Sequence, residues 1–212
     1  DTDRCKLVLG RHDEADFAQA DLIIVNPAVP RPWQNPFLQV AREAGVPLSS
    51  EIRLLVERVD RTRCIGVTGT NGKSTTAAMT SHLLCRAGID ARLGGNIGGS
   101  LLCELNSIND DTWLVLELSS FQLQDLHRSP DLAIILGVTS EHLDYHADLE
   151  EYHRAKASLV RYQGRQDLAI VNIDYPGFER YRDAGKGQIL EVSTRRPVTQ
   201  GAGIRNGQIE LL

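Results

Sequence analysis

Short apolar runs alternate with amphipathic stretches of helical period along most of the chain. Lys6–Leu9 reads as a first short strand. Leu22-Ile23-Ile24-Val25 reads as a second, stopped by the turn signal Asn26-Pro27. Asn35-Pro36 predicts a helix start, with an N-cap followed by proline at the first helical position, and Gly45 predicts its end. A helix beginning at Ser50 carries Ile52, Leu55, Val56 and Val59 at i, i+3, i+4 and i+7, one apolar face. Cys64–Thr68 is a buried-type strand. It is followed by a glycine-rich turn and a long helix from about Lys73 to Ala87, closed by Gly88. A short strand near Ala91 leads into a second glycine-rich turn, Gly94 to Gly99, and Trp113–Leu118, Leu132–Val138 and Leu168–Val171 are further strands. Leu149–Val160 is helical behind the N-cap Asp148, and Asn206-Gly207 between Ile204 and Ile209 reads as a hairpin turn.

Strands alternating with helices predict an α/β architecture with a mainly parallel sheet. The charged stretch Glu57–Arg63 marks a boundary near residue 62. The expectation is a truncated Rossmann-like N-terminal domain over 1–62, followed by an incomplete P-loop ATPase domain over 63–212. The first residue is Asp1 rather than Met, so the start reads as a cut.

Composition adds exclusions more than assignments. The chain has 212 residues, 42% hydrophobic and 24% charged, an ordinary balance for a folded domain. The net charge of −5 disfavours a nucleic-acid partner held by a basic surface. No apolar stretch approaches a membrane span, and no charged n-region and apolar h-region open the chain. Cys5, Cys64, Cys85 and Cys103 form no CxxC pair, so they read as buried or inert thiols in a reducing, cytoplasmic setting. A monomer is expected.

Gly69-Thr70-Asn71-Gly72-Lys73-Ser74-Thr75 follows a strand and opens a helix, the context a phosphate cradle requires. Glycines turn backbone N–H groups inward, and the helix N-terminus adds partial positive charge. Lys73 suits the β- and γ-phosphates of ATP, and the Ser74 hydroxyl suits Mg²⁺. The first glycine of the usual eight-residue pattern is missing: Val67 stands there, with Gly66 one place too early. The competing reading is an ordinary strand–turn–helix corner, which does not call for Lys-Ser at the helix start.

Glu117 lies at the end of an otherwise apolar strand, where ligands gather in open α/β sheets. A carboxylate among Leu114, Val115, Leu116 and Leu118 needs a cation, and Mg²⁺ shared with Ser74 supplies one. A solvent-facing edge position is the alternative. His142 follows the strand Leu132–Val138 in an acidic loop with Glu141 and Asp144. It is a candidate metal ligand or a plain surface histidine.

Together these residues resemble the Mur ligase family of ATP-dependent amide ligases. Gly69 to Ser74 is similar to that family's own phosphate-loop variant, which accounts for the missing first glycine. Leu116-Glu117-Leu118-Ser119-Ser120-Phe121-Gln122-Leu123 resembles the segment particular to the D-glutamate-adding branch, and Gly95-Asn96-Ile97-Gly98 fits it as well. Asn26-Pro27-Ala28-Val29-Pro30 also fits, although the family more often has Ser-Pro-Gly there. Gly137 and Glu141 depart from the asparagine and aspartate usual in the family, whereas His142 matches.

The resemblance implies three domains in the complete enzyme, with this chain holding part of the first and much of the central ATPase. It implies ATP and Mg²⁺ as cofactors, and UDP-N-acetylmuramoyl-L-alanine and D-glutamate as partners joined through an acyl phosphate. It implies substrate contacts from Asn96, Ser119 and Gln122, with capping of the next helix as the alternative for Ser119. It implies Lys73, His142 and Lys156 as catalytic residues, and Ser74, Glu117, His142 and carbamylated Lys156 around the metal ions. The residues lend Lys156 their own support: Leu149, Tyr152, Lys156, Leu159 and Val160 form one apolar stripe at helical spacing. Burial disfavours an ammonium, and only the neutral amine attacks CO₂. The alternative is a lysine that lays its stem on the core and snorkels to water. Two other functions compete: another branch of the family, such as a folylpolyglutamate synthase, and a nucleotide-binding module without ligase activity.

Overall fold

The computed structural model describes residues 5–139 and 146–212, and the chain divides into two compact units, the first ending at Ser50 and the second running from Glu51 to Leu212. The first unit carries helix α1 (Glu14–Ala18), strand β1 (Ile23–Ile24), helix α2 (Pro36–Glu43) and strand β2 (Leu48–Ser49). β1 and β2 pair in parallel, Ile23 against Leu48, as a strand–helix–strand crossover requires. Asn35 caps α2 as its sequence predicts, its side chain accepting from the N–H groups of Phe37 and Leu38. His12, Phe17 and Phe37 pack ring against ring beside it, with centroids 5.0–5.5 Å apart. The strand expected at Lys6–Leu9 does not form, and Leu7 and Leu9 are largely exposed. Apolar side chains alone do not make a strand; it needs a partner for its backbone groups, and among the described residues none pairs with this segment.

The second unit is an eight-stranded sheet in the order β10-β9-β8-β7-β6-β3-β5-β4. Its strands are β3 (Cys64–Thr68), β4 (Ala91–Gly95), β5 (Trp113–Glu117), β6 (Leu132–Ile135), β7 (Leu168–Asn172), β8 (Gln188–Val192), β9 (Gly201–Arg205) and β10 (Gln208–Leu211). All neighbours are parallel except β9 and β10, which form a hairpin across Asn206-Gly207, both at positive φ. β6 ends at Ile135 rather than Val138, because the chain beyond bends toward the β3 turn. β8 and the short helix α5 (Ser120–Gln124) are additions that the apolar runs alone do not announce.

Among the described residues, five α-helices belong to this unit: α3 (Glu51–Val56), α4 (Lys73–Arg86), α5, α6 (Leu149–Arg161) and α7 (Glu179–Arg182). α3 goes with the sheet, since Ile52, Leu55 and Val59 sit in its larger core with Leu114, Leu116, Leu118 and Leu159. A smaller cluster, Ile65, Val67, Ala77 and Val115, includes Ala77 of α4. β3 is buried at every residue, because it lies between β5 and β6. Arg61, just before β3, ion-pairs with Asp131 and Asp167, which lead into β6 and β7. Burial pushes the Asp131 carboxyl up from the ordinary aspartate value, against the pull of Arg61. Cys64 is the buried thiol, pushed up to about 12 by burial, whereas Cys5, Cys85 and Cys103 are exposed rather than core filler. Among the described residues no helix is long and apolar enough to cross a membrane.

Gly66 has a packing role that explains its place in the strand. A Cβ there would stand 2.5 Å from Leu159 Cδ1 and 3.0 Å from Pro130 Cγ. The bare strand therefore lets α6 seat directly on β3. Lys156 lies one turn before Leu159 on the same helix face and is carried to the carboxyl end of β3.

Candidate active site

The carboxyl ends of β5, β3 and β6 lie side by side, and three connections leave them. After β3, Gly69 (φ 158°) and Gly72 (φ 82°) shape the turn into α4, with Gly72 as its N-cap. Gly72 supplies no side-chain cap, so the first N–H groups of α4 stay available to a ligand. Lys73 folds back over the turn, its Nζ donating to the Thr70 carbonyl at 2.7 Å. Ser74 and Thr75 are exposed beside it, as is Asn71.

Thr70 points inward instead. Its N–H donates to the Gly137 carbonyl at 2.8 Å, and its Oγ1 accepts from Thr139 N at 2.8 Å. The same Oγ1 donates to Thr139 O and lies 3.1 Å from the Tyr152 hydroxyl. The turn is thus laced to the segment after β6 and to α6. Tyr152 was visible in the sequence only as a core position one turn before Lys156; its tie to Thr70 spans 82 residues and leaves no local signal.

Glu117 is 1% exposed, which excludes the solvent-facing edge. Oε1 accepts from Asn96 Nδ2 at 3.2 Å, and the Asn96 N–H donates to the Glu117 carbonyl at 2.7 Å. Oε2 has no hydrogen-bond partner among the described residues. A buried carboxylate oxygen left open is costly, and a divalent cation is a fitting partner for it. No group of three or more His, Cys, Asp or Glu side chains among the described residues is arranged to hold a metal. Mg²⁺ does not need one, since it is often held by one carboxylate with hydroxyl, water and phosphate oxygens. His142, with Glu141 and Asp144, lies outside the described residues.

Ser119 caps α5, and its partner is Gln122: Ser119 Oγ accepts from Gln122 N at 3.2 Å while Gln122 Oε1 accepts from Ser119 N at 3.0 Å. The Ser-x-x-Gln spacing is the sequence signature of this box. The helix-capping role of Ser119 is therefore present in the fold, and Gln122 is buried with its side-chain carbonyl engaged. Behind the cap, Ser120 Oγ lies 2.9 Å from His146 Nε2, and the buried His146 ring is packed by Phe121 and Tyr152.

Lys156 is 2% exposed, so its ammonium does not snorkel to water. Nζ donates to the Gly69 carbonyl at 2.9 Å, lies 3.4 Å from Thr68 Oγ1, and stands 4.8 Å from the centre of the Tyr152 ring. Tyr152, Leu159 and Val160 of the expected stripe are buried with it, but Leu149 is 41% exposed in the first turn. On the next face His153 meets the Tyr181 hydroxyl; burial, then the Arg180 charge, hold its imidazole below the ordinary histidine value. Burial pushes the Tyr181 phenol up.

Residues 67–209 match the family model described as the Mur ligase middle domain. Over 201 residues the chain is 38% identical to a protein of Koribacter versatilis named UDP-N-acetylmuramoylalanine--D-glutamate ligase, covering 94% of this chain and 44% of that one. Over 207 residues it is 35% identical to the Bacillus subtilis protein of the same name, covering 96% and 45%. The chain thus spans a little under half the length of these curated relatives. Among solved structures, it superposes on a UDP-N-acetylmuramate:L-alanyl-gamma-D-glutamyl-meso-diaminopimelate ligase from Neisseria meningitides with TM-score 0.61 at 18% identity, covering 94% and 66%. It superposes on a UDP-N-acetylmuramoyl-L-alanyl-D-glutamate--2,6-diaminopimelate ligase with TM-score 0.59 at 21% identity, covering 90% and 49%. These two likenesses concern the fold.

Proposed function

The chain belongs to the Mur ligase family, and on that premise we propose that it is part of an ATP-dependent ligase that joins D-glutamate to UDP-N-acetylmuramoyl-L-alanine in peptidoglycan precursor synthesis. The observation that carries the reading is the pairing of the phosphate loop 69–75 with the buried, half-satisfied carboxylate of Glu117 on the neighbouring strand end. The first unit corresponds to part of the UDP-substrate domain and the second to the central ATPase. The protein acts in the cytoplasm as a monomer.

The chemistry asks for such a site. A carboxylate is a poor electrophile, so the L-alanine carboxylate first attacks the γ-phosphorus of ATP; the bond to ADP breaks and an acyl phosphate forms. The amine of D-glutamate then adds to the acyl carbon, and phosphate leaves from the tetrahedral intermediate. Anionic groups must meet, so charge stabilisation dominates. Loop N–H groups from Gly69 to Thr75 hold phosphate oxygens, and Lys73 swings from the Thr70 carbonyl onto the β- and γ-phosphates. Glu117 and Ser74 would hold Mg²⁺, which would offset the charge of the phosphates. Asn96 fixes the Glu117 carboxylate and, with Ser119 and Gln122, faces the muramoyl-alanine end. Ser119 Oγ and Gln122 Oε1 are engaged in the α5 cap, so ligand contact would come from the remaining lone pair of Ser119 Oγ and from the Gln122 side-chain Nε2.

Lys156 fits a carbamate: neutral Nζ attacks CO₂, an N–C bond forms and a proton leaves. Its burial keeps Nζ out of bulk water at the end of β3, beside the Gly69 carbonyl. The product would offer its oxygens, together with His142 as the family resemblance implies, to a second metal ion. The test is an acceptor panel with the full-length protein carrying this chain. Phosphate release should require both UDP-N-acetylmuramoyl-L-alanine and D-glutamate. Turnover with a folate acceptor and L-glutamate instead would assign the chain to another branch.

A further inference from the structure

The segment after β6 forms the rear wall of the phosphate loop. Leu136 N–H donates to the Thr68 carbonyl at 2.9 Å, and the Gly137 carbonyl accepts from Thr70 N at 2.8 Å. Thr139 closes the wall through both its N–H and its carbonyl on Thr70 Oγ1. Gly137, at the centre, is not among the residues with positive φ, so backbone conformation does not call for glycine. Space does. A Cβ at Gly137 would stand 2.2, 2.4 and 2.6 Å from Cε2, Cζ and Cδ2 of Tyr175. The ring of Tyr175 occupies the side-chain slot of Gly137.

That ring comes from the next strand end. Tyr175 follows β7, which neighbours β6 in the sheet. Its base is anchored: Asp174 N donates to Asn172 Oδ1 at 2.9 Å, and the Asp174 carboxylate accepts from Thr194 N and Thr194 Oγ1, each at 2.9 Å, and from Ser193 Oγ. Those donors follow β8, so the ring is placed by the ends of two strands. Tyr175 is 36% exposed, too wet for a core filler, with its inner edge against the wall.

We infer that Tyr175 is a positioning residue of the nucleotide site: lodged in the slot of Gly137, its ring holds segment 136–139 against the phosphate loop and so sets the Thr70 end of the cradle. This rests on the reading of loop 69–75 as the ATP site. An asparagine side chain at position 137 would compete with the ring for one volume. The ring carbons of Tyr175, not its hydroxyl, are the atoms nearest the Gly137 slot.

The test uses the full-length protein carrying this chain, with steady-state kinetics and titration of a fluorescent ATP analogue with Mg²⁺. Tyr175→Ala should raise the KM for ATP roughly three- to tenfold, with kcat and the acceptor KM within about twofold, a size typical of coupling between touching residues. Tyr175→Phe should behave as the unaltered protein. Gly137→Asn should raise the KM for ATP similarly by displacing the ring. The double variant Gly137→Asn/Tyr175→Ala should be no worse than either single change. Lys73→Ala separates the two levels. If it leaves nucleotide affinity unchanged, the ATP-site reading itself fails. If it abolishes binding while Tyr175→Ala keeps the ATP KM unchanged, only the inference on Tyr175 fails. Additive losses in the double variant, or equal effects on the ATP and acceptor KM values, would also overturn it. Should Tyr175→Ala not fold, Tyr175→Leu and Gly137→Asn carry the same comparison.

Discussion

Gly66→Ala places one methyl group where α6 meets the sheet. The new Cβ would lie 2.5 Å from Leu159 Cδ1, closer than carbon atoms tolerate, and 3.0 Å from Pro130 Cγ, a tight contact. Leu159 is 1% exposed in the larger core, so it can give way only by repacking against its buried neighbours. Replacing glycine by alanine gains about 0.4–1 kcal/mol by restricting the unfolded chain. Overpacking a closed core costs about 1–3 kcal/mol, so the steric term wins. Taking the middle of each range leaves a net loss of about 1.3 kcal/mol, which should lower Tm by roughly 3–5 °C at about 2–4 °C per kcal/mol for a chain of this size. Leu159→Ala alone should cost about 2–5 kcal/mol through its cavity. In the Gly66→Ala background it should cost distinctly less, since the alanine methyl fills part of the cavity and the clash is gone. Thermal and urea unfolding of the two single variants and the double variant would measure the coupling. The functional echo is a weaker hold of Lys156 on Gly69, since both ride on the seat of α6. An unchanged Tm in Gly66→Ala, or losses that simply add in the double variant, would refute the packing argument.

Glu117→Gln keeps the shape and removes the charge, so Mg²⁺-dependent nucleotide binding should weaken by at least tenfold while Mg²⁺-free binding changes little; titration at several Mg²⁺ concentrations checks it. His153 is held neutral, its folded value below its unfolded value of about 6.5. The unfolded chain therefore binds the proton first, so stability is full above about pH 6.5 and is lost as pH falls through the lower folded value. Urea midpoints from pH 8 to 5 should show this decline, and His153→Gln should flatten it.

Several elements could be read from local chemistry. Asn35-Pro36 and Asn206-Gly207 need only the dihedral and capping preferences of their own residues, and both appear as expected. The phosphate loop is likewise local, a strand, two glycines and a lysine within a short span. Lys156 was readable in part: helical spacing gave Tyr152, Leu159 and Val160 as its buried companions, but placed Leu149 inside although the first turn leaves it in water. What local reading missed depends on partners far away in the chain. Lys6–Leu9 has the right residues and no paired strand. Gly66 looked like a misplaced member of the phosphate pattern, yet its contact is with Leu159 on α6. Thr70, Tyr152, Gly137 and Tyr175 meet only because strand order brings β3, β6 and β7 together. Ser119 and Gln122 show the opposite case, a capping box legible in the Ser-x-x-Gln spacing alone.

The central claim is carboxylate activation by ATP at the 69–75 loop. The measurement closest to it is oxygen transfer in the full-length protein, using UDP-N-acetylmuramoyl-L-alanine labelled with ¹⁸O in its alanine carboxylate. Attack on the γ-phosphorus makes a carboxylate oxygen the bridge of an acyl phosphate, and loss of phosphate carries that oxygen away. The account predicts one ¹⁸O in the released phosphate for each amide formed from doubly labelled carboxylate, and no such release in Lys73→Ala. Amide formation with all of the label kept out of the phosphate would contradict it.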